Sequence, residues 1–383
     1  MTRSALGSVA ALAVETGRAL ADRLDRRSPV PRTIDQVDAG YLRRLLGAPI
    51  TQVDPSDRTV GTTDRARLRL AGTDDRIAPS VFVKIAPTRV VTRVFTNLSN
   101  LGPNECGFYR DLRPGLDIET PVVVAIDADP RTRRFVIVIE DLAARDVRFT
   151  DTIQGTNRAE AEAVIRTLAR LHAAFWDSPR LADRGPGGLS WVTSNGGDPN
   201  LRLVHQALGT AARRLTKTDP ALVPSAGAEI LARYPAVADE MDVGPHTILH
   251  GDPHPGNVYF VDDADGPQVR GGLFDWQVLR RGNGVRDLTY FMVLALEPDD
   301  RRAYGDELVD LYRDELIRAG GPALDPGALR LDVRKMVAYA YVSAVFTTAF
   351  AGLQDREIAH RGLTKATAAL LDLDTAAALT SLR

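Results

Sequence analysis

One cysteine, Cys106, stands in a chain of 383 residues. A single thiol cannot close an intramolecular disulfide, so the fold does not lean on an oxidising compartment, and cytoplasm is the default location. Charge of one sign is missing as well: 48 Lys and Arg face 50 Asp and Glu, for a formal net charge of −2. The basic residues are scattered, which removes the electrostatic footprint of a nucleic-acid binder, and the short group Arg131, Arg133 and Arg134 reads as a solvated hairpin turn. Internal repeats and disordered tracts are lacking. Met336 to Leu353 is free of charge, but Tyr339, Tyr341, Ser343, Thr347, Thr348 and Gly352 make it a poor lipid-facing span. It is expected as a buried helix, so no membrane span is assigned. Residues 1–27 open with a positive charge and an Ala/Leu-rich run, yet Glu15 and Arg18 interrupt it and no cleavage region follows. An amphipathic helix is expected there, packed on the neighbouring lobe or mediating self-association.

What the chain does have is apolar content of 44%, ample for two lobes, and one stretch dense in chemistry. His250-Gly251-Asp252-Pro253-His254-Pro255-Gly256-Asn257 is followed by Leu273-Phe274-Asp275-Trp276-Gln277. Phosphoryl transfer needs a carboxylate at the acceptor hydroxyl and oxygen ligands that hold Mg²⁺ against the nucleotide phosphates. Asp252 takes the first role. A tight loop can aim Asp252 at the acceptor while Asn257 turns back to the metal, and Pro253, Pro255 and Gly256 suit such a loop better than a helix. Val258-Tyr259-Phe260 and Gly272-Leu273-Phe274 read as short strands that deliver Asn257 and Asp275, the second metal ligand, to one place.

These residues resemble the aminoglycoside phosphotransferase-like superfamily of small-molecule kinases, and within it the ecdysteroid-kinase-like branch, where a His-Gly-Asp loop precedes an Asp-Trp/Phe-Gln segment. Leu168 to Trp176 resembles the helix ahead of the catalytic loop, and Arg286-Asp287-Leu288 the structural aspartate element. The resemblance covers roughly residues 30 to 370 and implies an α+β, two-lobed protein kinase-like fold. It implies a small β-rich N-terminal lobe, a larger mainly helical C-terminal lobe, and ATP in the cleft between them. His250 and Asp287 then support the catalytic loop.

That implication demands a phosphate-contacting lysine and a carboxylate partner in the first 150 residues or so. Val81-Phe82-Val83-Lys84-Ile85 alternates apolar residues around one lysine, as a strand presenting its amine would. Asn104-Glu105-Cys106 resembles the start of the helix whose glutamate pairs with it. Phe135 to Leu142 resembles the hinge, whose backbone at Glu140 and Leu142 would bind the adenine edge. One departure is plain: Thr59 to Arg65 offers only Gly61 where a protein kinase has several glycines, so backbone N–H groups with Thr62 and Thr63 would contact phosphate there.

The expected organisation is a leading helix over residues 1–30, an ATP-binding lobe over 31–142 with strands near Arg67, Val81, Val122 and Phe135, and a catalytic and acceptor-binding lobe over 143–383. Arg184 to Asn200 is expected as a loop and Leu201 to Thr216 as a helix, either of which could border the acceptor. Two other classes compete. His250, Asp252 and His254, with His246 and Asp275, have the spacing of a metal-dependent hydrolase, but hydrolysis leaves the Lys84 strand unexplained. A silent nucleotide-binding module would be expected to lack the base, a metal ligand or the lysine, and each has a candidate. The acceptor is a hydroxylated small molecule. Tyr339, Tyr341, Phe346, Phe350, Trp191 and Trp276 tilt it toward a partly apolar alcohol, while Asp239, Glu240 and Asp242 keep a polycationic sugar open.

Overall fold

A computed structural model describes residues 3–74, 77–194, 201–262, 269–350 and 354–382, with side chains from residue 10 onward except over 201–206. The chain divides into two compact units. One takes Met1–Gly115 with Thr120–Val147, the other Leu116–Glu119 with Arg148–Arg383.

The first unit contains α1 (Arg3–Leu24), α2 (Ala39–Leu46), β1 (Ile50–Val60), β2 (Asp64–Gly72), β3 (Ser80–Ile85), α3 (Val90–Leu98), α4 (Leu101–Gly107), β4 (Val123–Asp129) and β5 (Arg134–Glu140). The strands form one sheet in the order β1-β2-β3-β5-β4, each neighbour antiparallel. Val81, Val83 and Ile85 from β3 join Leu68, Val136 and Val138, with Ile34, Tyr41 and Leu42 packed against them, in one buried cluster. That is the period-two face on which the Lys84 strand was placed. The sequence pattern did not announce β1. Its side chains are mostly exposed and it carries Pro55, which an edge strand tolerates and a central one does not.

Arg134 corrects the reading of a solvated arginine turn. It is 5% exposed. Its Nε meets Asp22 Oδ1 at 2.7 Å, Nη1 donates to the Val30 carbonyl at 3.1 Å, and Nη2 donates to the carbonyls of Asp22 and Asp25, both at 2.9 Å. A guanidinium with its donors so engaged is a joint, not a surface charge. It binds α1 and the segment after it to β5, and Asn97 Nδ2 on α3 adds a 2.9 Å bond to Glu15. The expected leading helix thus packs on its own unit through buried polar side chains, while Leu12, Leu20 and Leu24 face outward.

The second unit is mainly helical. It contains β6 (Arg148–Phe149), α5 (Arg158–Phe175), α6 (Leu201–Thr218), α7 (Ser225–Ala232), α8 (Tyr234–Met241), β7 (Thr247–Leu249), β8 (Val258–Asp262), β9 (Val269–Leu273) and β10 (Arg280–Gly282). It ends with α9 (Val285–Ala295), α10 (Pro298–Arg318), α11 (Pro326–Ala349), α12 (Arg356–Asp372) and α13 (Thr375–Ala378). Its strands make two small sheets, β6-β8-β9 and β10-β7. Asn157 starts α5 with a capping box, accepting from Glu160 N at 3.0 Å and donating back to the Glu160 carboxylate at 3.0 Å. Every residue of α9 is buried. The charge-free stretch forms the end of α11, which stops at Ala349, and 351–353 lie outside the described residues. Among the described residues no helix is long and apolar enough to cross a membrane. The expected loop is irregular over 184–194, and 195–200 lie outside the described residues.

Candidate active site

The turn that follows β7 is built by hydrogen bonds from side chains far away in sequence. Asp287, on the first turn of α9, accepts the N–H of His250 at 2.6 Å and that of Gly251 at 3.1 Å. Burial works to raise the Asp287 pKa, but His172, Arg286 and His250 hold it below the ordinary carboxylate range. His172 on α5 is fully buried, lies 3.5 Å from Asp287 through Nε2 and bonds the Tyr312 hydroxyl at 2.9 Å through Nδ1. His250 is fully buried and has work for both ring nitrogens. Nε2 donates to the Phe274 carbonyl at 2.9 Å, since a carbonyl can only accept, and Nδ1 accepts the Asp252 N–H at 3.3 Å. That fixes one neutral tautomer, in keeping with a pKa pushed down by burial. Gly251 has φ +86°, and a Cβ there would meet the Val278 carbonyl oxygen at 2.1 Å, so the turn admits only glycine.

Beyond the turn the candidate groups converge. His254 Nδ1 accepts the Gly256 N–H at 3.0 Å and closes the Pro255–Asn257 turn. Asn257 Nδ2 then donates to the Asp252 carbonyl at 2.9 Å and lies 3.3 Å from Asp252 Oδ2. The β8–β9 ladder continues through Phe274 N to the Asn257 carbonyl at 3.1 Å, which sets Asp275 next to Asn257. Asp275 adopts φ 68°, a left-handed conformation unusual for a residue with a Cβ. Both Asn257 and Asp275 are under 8% exposed, whereas the Asp252 side chain keeps 26% exposure. Burial raises the Asp252 pKa, with His254, the Tyr290 hydroxyl and His250 drawing it back. Because the Asn257 amide nitrogen is committed to Asp252, its oxygen points the other way. An amide oxygen and a carboxylate make a hard-oxygen pair that suits Mg²⁺ completed by phosphate and water.

The hydrolase set does not assemble. Both His250 nitrogens are used within the protein, and His246 Nε2 donates to the Asp242 carbonyl at 2.8 Å. Among the described residues no group of three or more His, Cys, Asp or Glu is placed to hold a metal ion.

In the first unit, Lys84 Nζ on β3 meets Glu105 Oε1 on α4 at 2.7 Å, with the side chains 3% and 0% exposed. Glu105 sits inside α4 rather than at its start, which is Leu101. Gly61 occupies the β1–β2 turn, its N–H on the Thr63 carbonyl at 3.0 Å. Thr63 is buried and Thr62 half-buried, so the latter hydroxyl is the more accessible. At the end of β5 the Glu140 N–H donates to the Val122 carbonyl at 2.9 Å, and the Leu142 carbonyl accepts from Arg145 N at 3.1 Å.

The residues used to judge the acceptor sort differently from expectation. Trp276 is fully buried with its ring 4.6 Å from that of His250, and Tyr341 is fully buried with its hydroxyl on the Leu222 carbonyl at 3.0 Å. Glu240 accepts from Thr380 N and Ser381 N and pairs with Lys335. These three serve packing and structure. Tyr290, which the sequence reading passed over, donates to Asp252 Oδ1 at 2.7 Å. Its signal was available: it lies three residues after Asp287, one turn along the same face of α9.

The sequence pattern of the phosphotransferase enzyme family matches residues 70–331, more than half of the chain. The chain belongs to that family. The matched segment includes Lys84, Glu105, Asp252, Asn257, Asp275 and Asp287, and it makes the protein a phosphotransferase of the small-molecule kinase class. The protein kinase-like fold rests on the first of three similar solved structures. The choline kinase of Cryptosporidium parvum is 14% identical, with a TM-score of 0.52 over 89% of this chain and 96% of that one. A choline/ethanolamine kinase family protein from Mesorhizobium loti is 13% identical, with a TM-score of 0.45 over 86% and 92%. An aminoglycoside phosphotransferase in complex with GDP and kanamycin is 12% identical, with a TM-score of 0.49 over 86% and 97%. No curated protein matches the phosphotransferase significantly.

Proposed function

We propose that this phosphotransferase moves the γ-phosphoryl group of ATP to a hydroxyl of a small molecule, with Asp252 as the base. The observation that carries the reading is the convergence at Asn257: its amide nitrogen holds the Asp252 carbonyl while its own carbonyl holds Phe274 N, beside Asp275. Three bends therefore bring a partly exposed carboxylate together with two buried oxygen-bearing side chains. As the acceptor oxygen bonds to the γ-phosphorus, its proton passes to the Asp252 carboxylate. The bond from that phosphorus to the bridging oxygen breaks, and ADP leaves with the electron pair.

Asn257 and Asp275 would hold Mg²⁺, which supplies charge neutralisation at the phosphates when bound. Lys84 contacts those phosphates, and Glu105 aims it. Gly61 belongs to the proposed nucleotide-binding set. The Glu140 carbonyl and Leu142 N–H serve the adenine edge, their two companion groups already being bonded within the protein. His250 and Asp287 keep the catalytic turn in shape. In these terms 1–30 is the leading segment, which carries α1 (Arg3–Leu24), 31–142 the nucleotide lobe and 143–383 the catalytic and acceptor lobe.

Mass spectrometry of a mixed library of hydroxylated sterols, macrolides, aminoglycosides and nucleosides, incubated with Mg-ATP, tests the proposal. A phosphorylated product is expected with the native enzyme and not with Asp252→Asn. No product, together with no thermal stabilisation by Mg-ATP, would overturn it.

A further inference from the structure

We propose that Tyr290 is the positioning residue of the transfer base: its hydroxyl fixes Asp252 so that Oδ2 is the oxygen offered to the acceptor, while Tyr339 steadies the same turn through the Gly251 carbonyl. The inference rests on the reading of Asp252 as base and goes beyond it to what aims that base.

A carboxylate on a turn has two side-chain torsions to lose, and 26% exposure gives it room to turn. What restrains it is unequal on the two oxygens. Oδ1 receives the Tyr290 hydroxyl at 2.7 Å, a short charge-assisted bond. Among the described residues Oδ2 has only Asn257 Nδ2 at 3.3 Å, whose better bond is to the Asp252 carbonyl, and His254 Nε2 at 3.7 Å. The strong restraint therefore lies on the oxygen that does not react, and the weakly held one is left for a proton.

The donor itself is rigid. Tyr290 is 6% exposed on a wholly buried helix. Its ring lies 5.4 Å from that of Tyr339, over which the buried Arg286 guanidinium stacks at 4.8 Å. Tyr339 on α11 donates to the Gly251 carbonyl at 2.8 Å. Asp287 holds the N–H side of the turn and the two tyrosines hold its carbonyl and carboxylate side, so α9 and α11 together set where the base points. Burial and the Asp252 charge both disfavour ionisation of Tyr290, so its hydroxyl stays a donor.

Tyr290→Phe removes the hydroxyl and keeps the ring. With an acceptor from the library and Mg-ATP, it is expected to lower kcat about 10- to 100-fold, the cost of a misdirected reacting group. KM for ATP should stay within about twofold, and Tyr339→Phe should have the same sign with a smaller loss. Wild-type kcat in Tyr290→Phe would overturn the proposal. So would a fall in kcat matched by a rise in KM for ATP and a lower Tm, which is what a purely structural tyrosine gives. Asp252→Asn run alongside separates the layers: full activity there sinks the base reading, whereas an inactive Asp252→Asn beside a fully active Tyr290→Phe sinks only the positioning role. A second measurement needs no acceptor. In protein labelled at tyrosine Cζ, the ¹³C signal lost in Tyr290→Phe should shift in Asp252→Ala, and an unmoved signal would refute the bond.

Discussion

Two charged constellations in this phosphotransferase are held in opposite ways. Lys84 and Glu105 stand on regular elements, a strand inside a five-stranded sheet and a short helix, and both side chains are buried. Asp252, Asn257 and Asp275 stand on bends: a turn that requires glycine at 251, a short turn after Pro255, and a left-handed Asp275. A pair made by one contact between two elements can be carried by repetitive backbone. Groups that must converge from successive residues need a path no repetitive structure supplies, and that path has to be braced from outside.

The contrast can be broken by removing function at the braced site. Asp252→Asn should reduce phosphoryl transfer about 100- to 10,000-fold in a product assay, with thermal stability close to wild type because the shape of the turn is kept. The paired site should lose stability as well as transfer. Lys84→Ala takes the cation from a buried carboxylate and should cost about 3–5 kcal/mol in urea unfolding, far more than an exposed ion pair would. Leu68→Ala sharpens the point, since truncating a fully buried residue of the same sheet should cost about 2–5 kcal/mol without naming any chemistry. Gly251→Ala should cost more than the about 1–3 kcal/mol of its positive φ, because the new Cβ meets the Val278 carbonyl, and transfer should fall with it, which calorimetry beside the product assay would show.

The smallest effect is one of pH. The Asp287 carboxyl is held below its ordinary value of 3.8, so the unfolded chain takes up a proton first as pH falls. Its stabilising contribution is complete above 3.8 and is lost as pH drops through the lower folded value. Urea midpoints between about pH 2 and pH 6 should rise more steeply for the native protein than for Asp287→Asn, and parallel curves would count against the brace.

The paired site was legible in sequence because alternation around Lys84 is a local signal, and so was the convergence of Asp252, Asn257 and Asp275, because Pro and Gly mark the turns. What escaped was set by partners distant in sequence. Arg134 reads as a turn arginine until Asp22 is seen beneath it. Edge strand β1 lacks an apolar face and exists through its ladder to β2. Trp276 and Tyr341 are aromatic, and nothing local tells a core ring from a pocket ring. Tyr290 carries a local cue, its place one turn after Asp287, but its contact with Asp252 depends on where α9 is packed.

The Arg134 joint also bears on how the chain would behave under a protease. The segment after α1 carries Arg26 and Arg27, both exposed, and trypsin could cut there. The fragment bearing α1 would remain attached, because Asp22 and Glu15 grip Arg134 and Asn97 from the far side of the cut. Nicked protein should therefore elute as one species and come apart only in denaturant, the helix acting as a ligand that happens to be made in the same chain.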